Sequence, residues 1–544
     1  MRFAAALLAG LLAALALPLA LPGSGRPLLP ASSEVLALVA LVPLLVCLRG
    51  VRPRAALGWG LLAGVVYFAI SLYWLDVALT TFGHLPRLAS IPIMALLVAF
   101  LGLFWAVALW LSAHLARWTG WAEELLLPVS WTALEWVRNY VLTGFPWASA
   151  GSSQVRTLWL AQLASLGGVY LVGFMVVWSN SCLAGLSLWW HGRARLRRWT
   201  LAAWLAAMAL AAAFGAVRLQ AGQAEGARLR VGLVQGNLDE RAHLRGPAAQ
   251  RWVLRRMLAE SRRAAARGAR LVVWPEATLP DPLPEGVVRL PLPGAAIAGP
   301  LPPAMVIGAV LRGYRKGRTR LRNSALLVDE HLRVLGRYHK RHLVPFGEYV
   351  PLEDLLPVHW FVPPTVAFFT PGEDHRPRPS AFGELGLLIC YEAIFPEIAR
   401  ESVARGARLL VNITNDSWYG PTSAPHQHLA LSRMRAIETG RWLVRAANTG
   451  ISAVIDSRGR LRDVIPLGLA PGGADYLSPD RLRPAASLVA EVRLLEGRTP
   501  YVLLGDWFPA ACALVVLLGL GRGWWKRRRQ GAGGKGAPEP PGLQ

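Results

Sequence analysis

A thiol, an ammonium and a carboxylate are the residues of this chain best suited to covalent chemistry. Cys390 closes the run Leu387-Leu388-Ile389-Cys390-Tyr391-Glu392, and it is the only cysteine outside long apolar stretches; Cys47, Cys182 and Cys512 lie within them. A lone thiol on the end of an apolar strand is no part of an intrachain disulfide framework. It is either a small buried hydrophobe or a nucleophile. Lysine occurs only at Lys316, Lys340, Lys526 and Lys535 among 58 Lys+Arg. Arginine serves wherever a generic positive charge suffices. Lys340, in Tyr338-His339-Lys340-Arg341-His342, therefore points to a task for a compact ammonium on a flexible stem. Glu276 follows Leu271-Val272-Val273-Trp274-Pro275. Pro275 removes a donor and ends strand pairing. Glu276 then falls just past the strand's carboxyl end, where ligands of α/β sheets bind. Taken singly, Lys340 favours a dedicated task over an incidental cation and Glu276 reads better as a solvated loop acid; the three together favour the nucleophile.

The elements that must position these groups divide the chain. Hydrophobic residues make up 54% of 544 residues, more than an ordinary soluble protein carries. Residues 1–220 are apolar runs with short basic breaks, 228–500 read as globular sequence, 501–522 are apolar again and 523–544 form a basic tail expected to be disordered. Seven N-terminal spans are predicted, at 3–22, 34–48, 56–78, 89–115, 122–143, 157–190 and 199–218, with an eighth at 503–521. Each is near the ~20 residues that cross a bilayer. The second is short, and the fifth carries Glu135 and Arg138. The first is also compatible with a cleaved signal peptide.

Basic residues set the orientation. Arg49, Arg52 and Arg54 follow span two, Arg117 span four, Arg193, Arg195, Arg197 and Arg198 span six, and Lys526, Arg527, Arg528 and Arg529 span eight. With seven plus one spans these breaks share one side, which makes that side cytoplasmic and puts 228–500 on the outer face. The same pattern explains much of the +25 formal charge, so nucleic acid is not the expected partner. Arg251, Arg255, Arg256, Arg262, Arg263 and Arg267 fall on a predicted helix that either faces anionic lipid or is simply solvated.

Within 228–500, strands are predicted at 228–235, 271–274, 304–310, 323–329, 334–338, 385–389, 409–414, 443–447 and 451–455. Helices are predicted at 248–267 and 396–405, with a further one carrying Met434, Ile437 and Trp442. Apolar runs alternating with helices indicate a layered α/β fold.

Glu276, Lys340 and Cys390 occur in the order and local contexts of the carbon-nitrogen hydrolase (nitrilase) superfamily. The segments 338–348, Cys390-Tyr391-Glu392, Asn415-Asp416-Ser417-Trp418-Tyr419-Gly420 and Asn448-Thr449-Gly450-Ile451 resemble the apolipoprotein N-acyltransferase family more closely still. So do Phe82-Gly83 before Leu85-Pro86, and Gly144-Phe145-Pro146-Trp147. The resemblance implies an α-helical transmembrane bundle plus an α-β-β-α sandwich. It implies a bacterial inner-membrane protein with its catalytic domain in the periplasm. Glu276 would be the general base, Lys340 the oxyanion cation and Cys390 the nucleophile. Glu348 would be a second carboxylate near Lys340, with Tyr391, Glu392 and Trp418 as supporting residues. It further implies a phospholipid donor, phosphatidylethanolamine in the first place, a diacylglyceryl-cysteine lipoprotein acceptor, no cofactor and a monomer. Two departures stand out. The family's Lys-Trp gating pair is His243-Leu244 here, and a tryptophan that often precedes the position of His428 is absent from Pro425-His426-Gln427-His428. Residues 346–372, with Trp360, Phe361, Phe368 and Phe369, are expected either to move over the site or to pack against it. A membrane-tethered amidase for a small C–N substrate and a non-catalytic membrane receptor remain the alternatives. Neither a metal-ligand spacing nor a phosphate-binding glycine loop is present.

Overall fold

The computed structural model describes residues 1–29, 31–83, 85–195, 197–222, 225–238, 246–291, 300–315, 318–350, 369–468 and 483–533. Helices stand at all eight predicted spans: Arg2–Leu15, Val42–Leu48, Pro53–Ser71, Arg87–Thr119, Glu123–Arg138, Ala164–Trp190, Arg198–Gln220 and Trp507–Gly533. Pro53–Ser71, Arg87–Thr119, Ala164–Trp190, Arg198–Gln220 and Trp507–Arg529 are long and apolar enough to cross a bilayer. The first, second and fifth are shorter, with 14, 7 and 16 residues.

The fifth helix stops at Arg138 because the chain turns through Leu142, Thr143 and Gly144, all at positive φ. That turn delivers Phe145 and Trp147 into the α/β part. The sixth is broken where a single span was expected: Gly167 and Gly168 leave helical geometry. A side chain at Gly168, where φ is +70°, would come within 2.7 Å of the Tyr501 ring. The last helix runs on to Gly533, so residues 523–533, expected as disordered tail, are helical. Its arginines stack on tryptophan rings: Arg528 on Trp524, Arg529 on Trp525 and Arg527 on Trp118. Such stacking gives the basic turn a packing partner.

The remainder is two sheets face to face. The strands in chain order are β1 (Ala227–Gln235), β2 (Leu271–Val273), β3 (Leu283–Pro284), β4 (Ala304–Arg315), β5 (Arg318–Asp329), β6 (Val334–His339), β7 (Arg378–Ser380), β8 (Gly383–Ile389), β9 (Leu409–Thr414), β10 (Leu443–Ala447), β11 (Ser452–Ile455), β12 (Leu461–Ile465) and β13 (Ala486–Leu494). One sheet runs β13-β1-β2-β4-β5-β6 with β3 beside β4, and the other β12-β11-β10-β9-β8-β7. Their inner faces bury Val231, Val273, Val306 and Leu327 against Leu387, Ile389, Val411 and Val444, as alternating strands on packed sheets do. Pro247–Ala266 covers the first sheet through Val253, Met257 and Leu258. Its Arg256 donates to Gly236 O at 2.9 Å and stacks on Trp252.

Pro396–Ala404 and Ala424–Thr439 cover the second sheet. Ala424–Thr439 is buried nearly all round, because the sheet lies on one side and the bundle on the other. It ends at Thr439 with Gly440 in the left-handed region at φ +64°. Trp442 therefore lies beyond the helix rather than on it, packed in the inter-sheet core. The four layers are thus helix, sheet, sheet, helix, with the last helical layer pressed against the bundle.

Candidate active site

The apolar β8 ends at Ile389, and the chain turns at once into the short 3-10 segment Cys390–Ile394. Cys390 itself sits at φ +50°, a region costing a non-glycine residue about 1–3 kcal/mol. Leu387 and Ile389 face the other sheet and Leu388 the helical layer, so a straight strand would turn residue 390 toward the helices. The turn brings Cys390 to the inter-sheet side instead. Cys390 is only 5% exposed. Burial first, then the charge of Glu276, pushes its thiol up to about 12, while the Lys340 ammonium pulls the other way. At rest the sulfur is a protonated thiol.

Glu276 and Lys340 face it from the other sheet. Glu276 follows β2, on the segment where Ala277 has φ +47°. Lys340 follows β6. The β5–β6 hairpin pairs Ser324 with His339, which sets Asn323 opposite Lys340, and Lys340 N donates to Asn323 O at 2.8 Å. The side chains then close a buried network. Lys340 Nζ donates to Glu276 Oε1 at 3.2 Å and to Glu348 Oε1 at 3.0 Å. Asn323 Nδ2 donates to the same two oxygens, at 2.7 and 2.8 Å. Glu276 Oε2 accepts from Asn415 N at 3.0 Å, and Glu348 Oε2 from Val344 N at 2.9 Å. Burial works against the Lys340 charge, but Glu276 and Glu348 outweigh it and hold its pKa above that of a free lysine. The site therefore keeps a fixed cation beside the sulfur, with two carboxylates behind it.

Glu392 fastens together the segments that carry Lys340 and Cys390. Fully buried, its Oε1 accepts from Tyr338 OH at 2.9 Å and Arg341 N at 2.7 Å, and its Oε2 from Ile389 N at 2.7 Å. It thereby ties the Lys340 segment to the Cys390 turn. Burial raises its pKa, against the pull of these hydrogen bonds. Tyr391 packs its ring on Phe395, Phe145 and His342, and its OH lies 3.4 Å from Gly144 O. It joins the nucleophile turn to the loop that leaves the bundle. Trp418 is 42% exposed on the Asp416–Tyr419 turn, whereas Tyr419 is buried against Trp74 and Trp147.

Beneath the Cys390 turn lies a polar cluster that the sequence reading missed. His428 Nε2 is 3.0 Å from Cys390 O, and its Nδ1 is 3.1 Å from Asp416 Oδ1 and 3.0 Å from Arg445 Nη2. Arg445 donates to Asp416 Oδ2 at 2.7 Å and to Asn412 Oδ1 at 2.5 Å. All four side chains are completely buried. Burial and the Arg445 charge lower the His428 pKa; a carbonyl only accepts, so Nε2 is the donor to Cys390 O. Gln427, one residue earlier, accepts from the indoles of Trp74 and Trp147 at 3.2 and 2.7 Å. Asn323 was missed as well, and the hairpin register opposite Lys340 was its available signal. His426 points elsewhere, to Gly25 O, and among the described residues no group of three His, Cys, Asp or Glu is placed to hold a metal ion. His243 and Leu244, Trp360, Phe361, Phe368 and most of the 346–372 loop lie outside the described residues. The loop's flanks are pinned at Phe369 N to Glu348 O and Gly372 N to Lys340 O, both 2.8 Å.

Comparison with known proteins places both parts of the chain in known families. Residues 230–462 match the carbon-nitrogen hydrolase family, and residues 9–182 match the apolipoprotein N-acyltransferase N-terminal domain. An apolipoprotein N-acyltransferase of Geobacter metallireducens is 36% identical, over 88% of this chain and 88% of its own length. One from Gloeobacter violaceus is 36% identical over 94% of each chain, and one from Azotobacter vinelandii 34% identical over 95% of each.

Proposed function

We propose, for a chain that belongs to the apolipoprotein N-acyltransferase family, that acyl transfer runs through a thioester on Cys390. The protein is a multi-pass membrane acyltransferase with a nitrilase-type fold. Its acyl donor is a phospholipid and its acceptor the N-terminal amine of a lipoprotein. The observation that carries the mechanism is the buried Lys340–Glu276–Glu348–Asn323 network facing a thiol held at positive φ.

Glu276 takes the Cys390 proton as the sulfur attacks the ester carbonyl. The oxyanion that forms is stabilised by Lys340 and the N–H of Tyr391, each worth about 3–4 kcal/mol in comparable sites. The C–O bond breaks, the Glu276 proton goes to the departing lysophospholipid oxygen, and the thioester remains. The neutral α-amine of a diacylglyceryl-cysteine then attacks the thioester and gives a proton to Glu276. The C–S bond breaks as the amide forms, and Glu276 returns that proton to the sulfur, restoring the thiol. This is ping-pong covalent catalysis. Glu348 keeps Lys340 charged and aimed throughout. Both substrates keep their acyl chains in lipid, which avoids about 0.8 kcal/mol per exposed CH₂.

The catalytic layers face the periplasmic side of the inner membrane. Exposed Trp121, Trp189, Trp190, Trp199, Trp524 and Trp525 gather at helix ends beside the basic breaks, as an interfacial aromatic belt does on the cytoplasmic side. The Cys390 turn meets the opposite ends of those helices, through Trp74 and Trp147. Phosphatidylethanolamine is the proposed donor and the monomer the working unit. The test is the intact mass of purified protein after incubation with phosphatidylethanolamine, beside Cys390→Ala. One added acyl group, absent from the variant and discharged by a diacylglyceryl-cysteine peptide, is the expected result. A folded protein that gains no acyl group from any of several phospholipids refutes it.

A further inference from the structure

The bundle end away from Cys390 holds a pocket that acyl transfer does not use. It lies between the end of Val42–Leu48, the start of Pro53–Ser71, the second half of Arg87–Thr119, the start of Glu123–Arg138 and the end of Ala164–Trp190. Leucine, alanine and glycine form most of its wall. Its polar groups are Arg49, Arg117, Glu123, Glu124, Ser112 and Ser181. Glu124 is 7% exposed, and its buried Oε2 has no hydrogen-bond partner among the described residues. Gly185 leaves the face of this carboxylate open: a side chain there would start 3.5 Å from Oε1.

The charges of the pocket do not cancel locally. Arg49 pairs with Glu123. Arg117 has one hydrogen bond, from Nη2 to Val51 O at 2.9 Å, and no carboxylate within ion-pair distance among the described residues. Glu124 inside and Arg117 at the rim are thus left without an ion-pair partner among the described residues. A buried carboxylate with no partner is costly. A ligand carrying a cation and an anion a few bonds apart would complete both. The cation must bring N–H donors, since a carboxylate is an acceptor only. The anion suits a guanidinium fork, as a phosphate does. The apolar wall and the neighbouring belt of tryptophan and arginine place the opening at a lipid interface rather than in water. We propose that this pocket binds the headgroup of a phospholipid bearing a primary ammonium, with the ammonium on Glu124 and the phosphate on Arg117. It is a lipid site at the bundle end opposite the catalytic layers, separate from the donor site.

Native mass spectrometry of the full chain with Cys390→Ala, which cannot consume the lipid, tests this. The protein is released from vesicles of phosphatidylethanolamine and phosphatidylglycerol. Adding Glu124→Gln should remove one retained phosphatidylethanolamine and weaken its apparent Kd about tenfold or more, the loss of one charge-assisted contact. Gly185→Leu, which fills the pocket, should do the same. Phosphatidylcholine, whose trimethylated nitrogen has no N–H, should not replace the lost molecule. With Cys390 intact, Glu124→Gln should transfer acyl groups at the wild-type rate, which shows that the variant is folded. Equal phosphatidylethanolamine retention with and without Glu124→Gln overturns the proposal. Equal retention of phosphatidylglycerol, or preference for free phosphoethanolamine over the lipid, overturns it too.

Discussion

Replacing Glu392 by glutamine tests whether catalysis depends on a residue that touches no substrate. Both carboxylate oxygens are in use: Oε1 takes Tyr338 OH and Arg341 N, and Oε2 takes Ile389 N. Glutamine keeps one acceptor and turns the other into a donor. In one orientation its NH₂ meets Ile389 N–H; in the other it meets Arg341 N–H. Either way a charge-assisted bond worth about 1.5–3 kcal/mol is lost and a buried donor is left unpaired at about 1–3 kcal/mol more. The sum is about 2.5–6 kcal/mol, acting across a buried junction between the Lys340 segment and the Cys390 turn. A misplacement of about 1 Å at reacting atoms costs about 10²-fold. Glu392 is fully buried, so donor binding should change little. Single-turnover acylation, followed by intact mass over a series of donor concentrations, should therefore slow by about 10²-fold at saturation, with the half-saturating donor concentration nearly unchanged. Acylation at the wild-type rate refutes the reasoning. So does a deficit that more donor removes, since that would make Glu392 a binding residue.

Three further outcomes follow from the same geometry. Lys340→Arg keeps the charge but puts a planar fork where one nitrogen serves Glu276 and Glu348; acylation should fall by at least about 10², and near-normal turnover would show that charge alone is needed. With its thiol pushed up to about 12, Cys390 should react with iodoacetamide at pH 7.5 more than about 100-fold slower than a free thiol of pKa near 8.5. That rate should still be rising at pH 10, because the protonated form persists until pH approaches the raised pKa; a plateau near pH 8.5 would refute it. His428→Ala removes the donor to the Cys390 carbonyl and leaves Asp416 and Arg445 as a bare pair; the acylation rate should drop while the donor half-saturation stays constant, and His428→Gln should restore part of it, whereas equal loss in both variants would assign the ring a purely packing role.

What the sequence disclosed, and what it did not, follows the range of the interactions. Cys390 was legible because an apolar strand ends on it, and Glu276 because Pro275 stops the strand just before. The core strands were legible for the same local reason: Leu385–Ile389 of β8 and Leu409–Val411 of β9 are apolar runs buried on both faces. The network that joins these residues was not. Asn323 looks like any polar residue near a strand start, and it gains meaning only from the hairpin register that sets it opposite Lys340. Arg445 reads as an interruption of an apolar strand until Asp416 and Asn412 are brought to it across parallel neighbours. The pairing of β13 with β1 links residues more than 250 positions apart, beyond any local pattern. The left-handed backbone of Cys390 has no compositional mark, since glycine or asparagine is the usual occupant of that region.

The helix Ala424–Thr439 explains why an acyltransferase on the nitrilase scaffold is built into its membrane part rather than tethered to it. An amphipathic helix on the outside of a sheet shows water its polar face. Here that face meets the bundle and is spent on it. Gln427 holds the indoles of Trp74 and Trp147. Glu438 Oε1 accepts Val169 N at 2.9 Å, at the break after Gly168. The same helix holds both ends of the nucleophile turn: His428 reaches Cys390 O, and Arg435 Nη1 donates to Ile394 O at 2.8 Å. Arg435 in turn pairs with Glu438 at 2.7 Å, so the contact to the bundle and the contact to the turn share one buried ion pair. Breaking a buried pair by removing one partner costs several kcal/mol. The bundle and the turn are therefore mechanically one unit, and a shift of Trp147 by lipid packing would be felt at the sulfur within two residues of chain, Gln427 and His428. For a reaction whose substrates arrive through the bilayer, that coupling sets the nucleophile's position relative to the membrane as well as relative to Lys340.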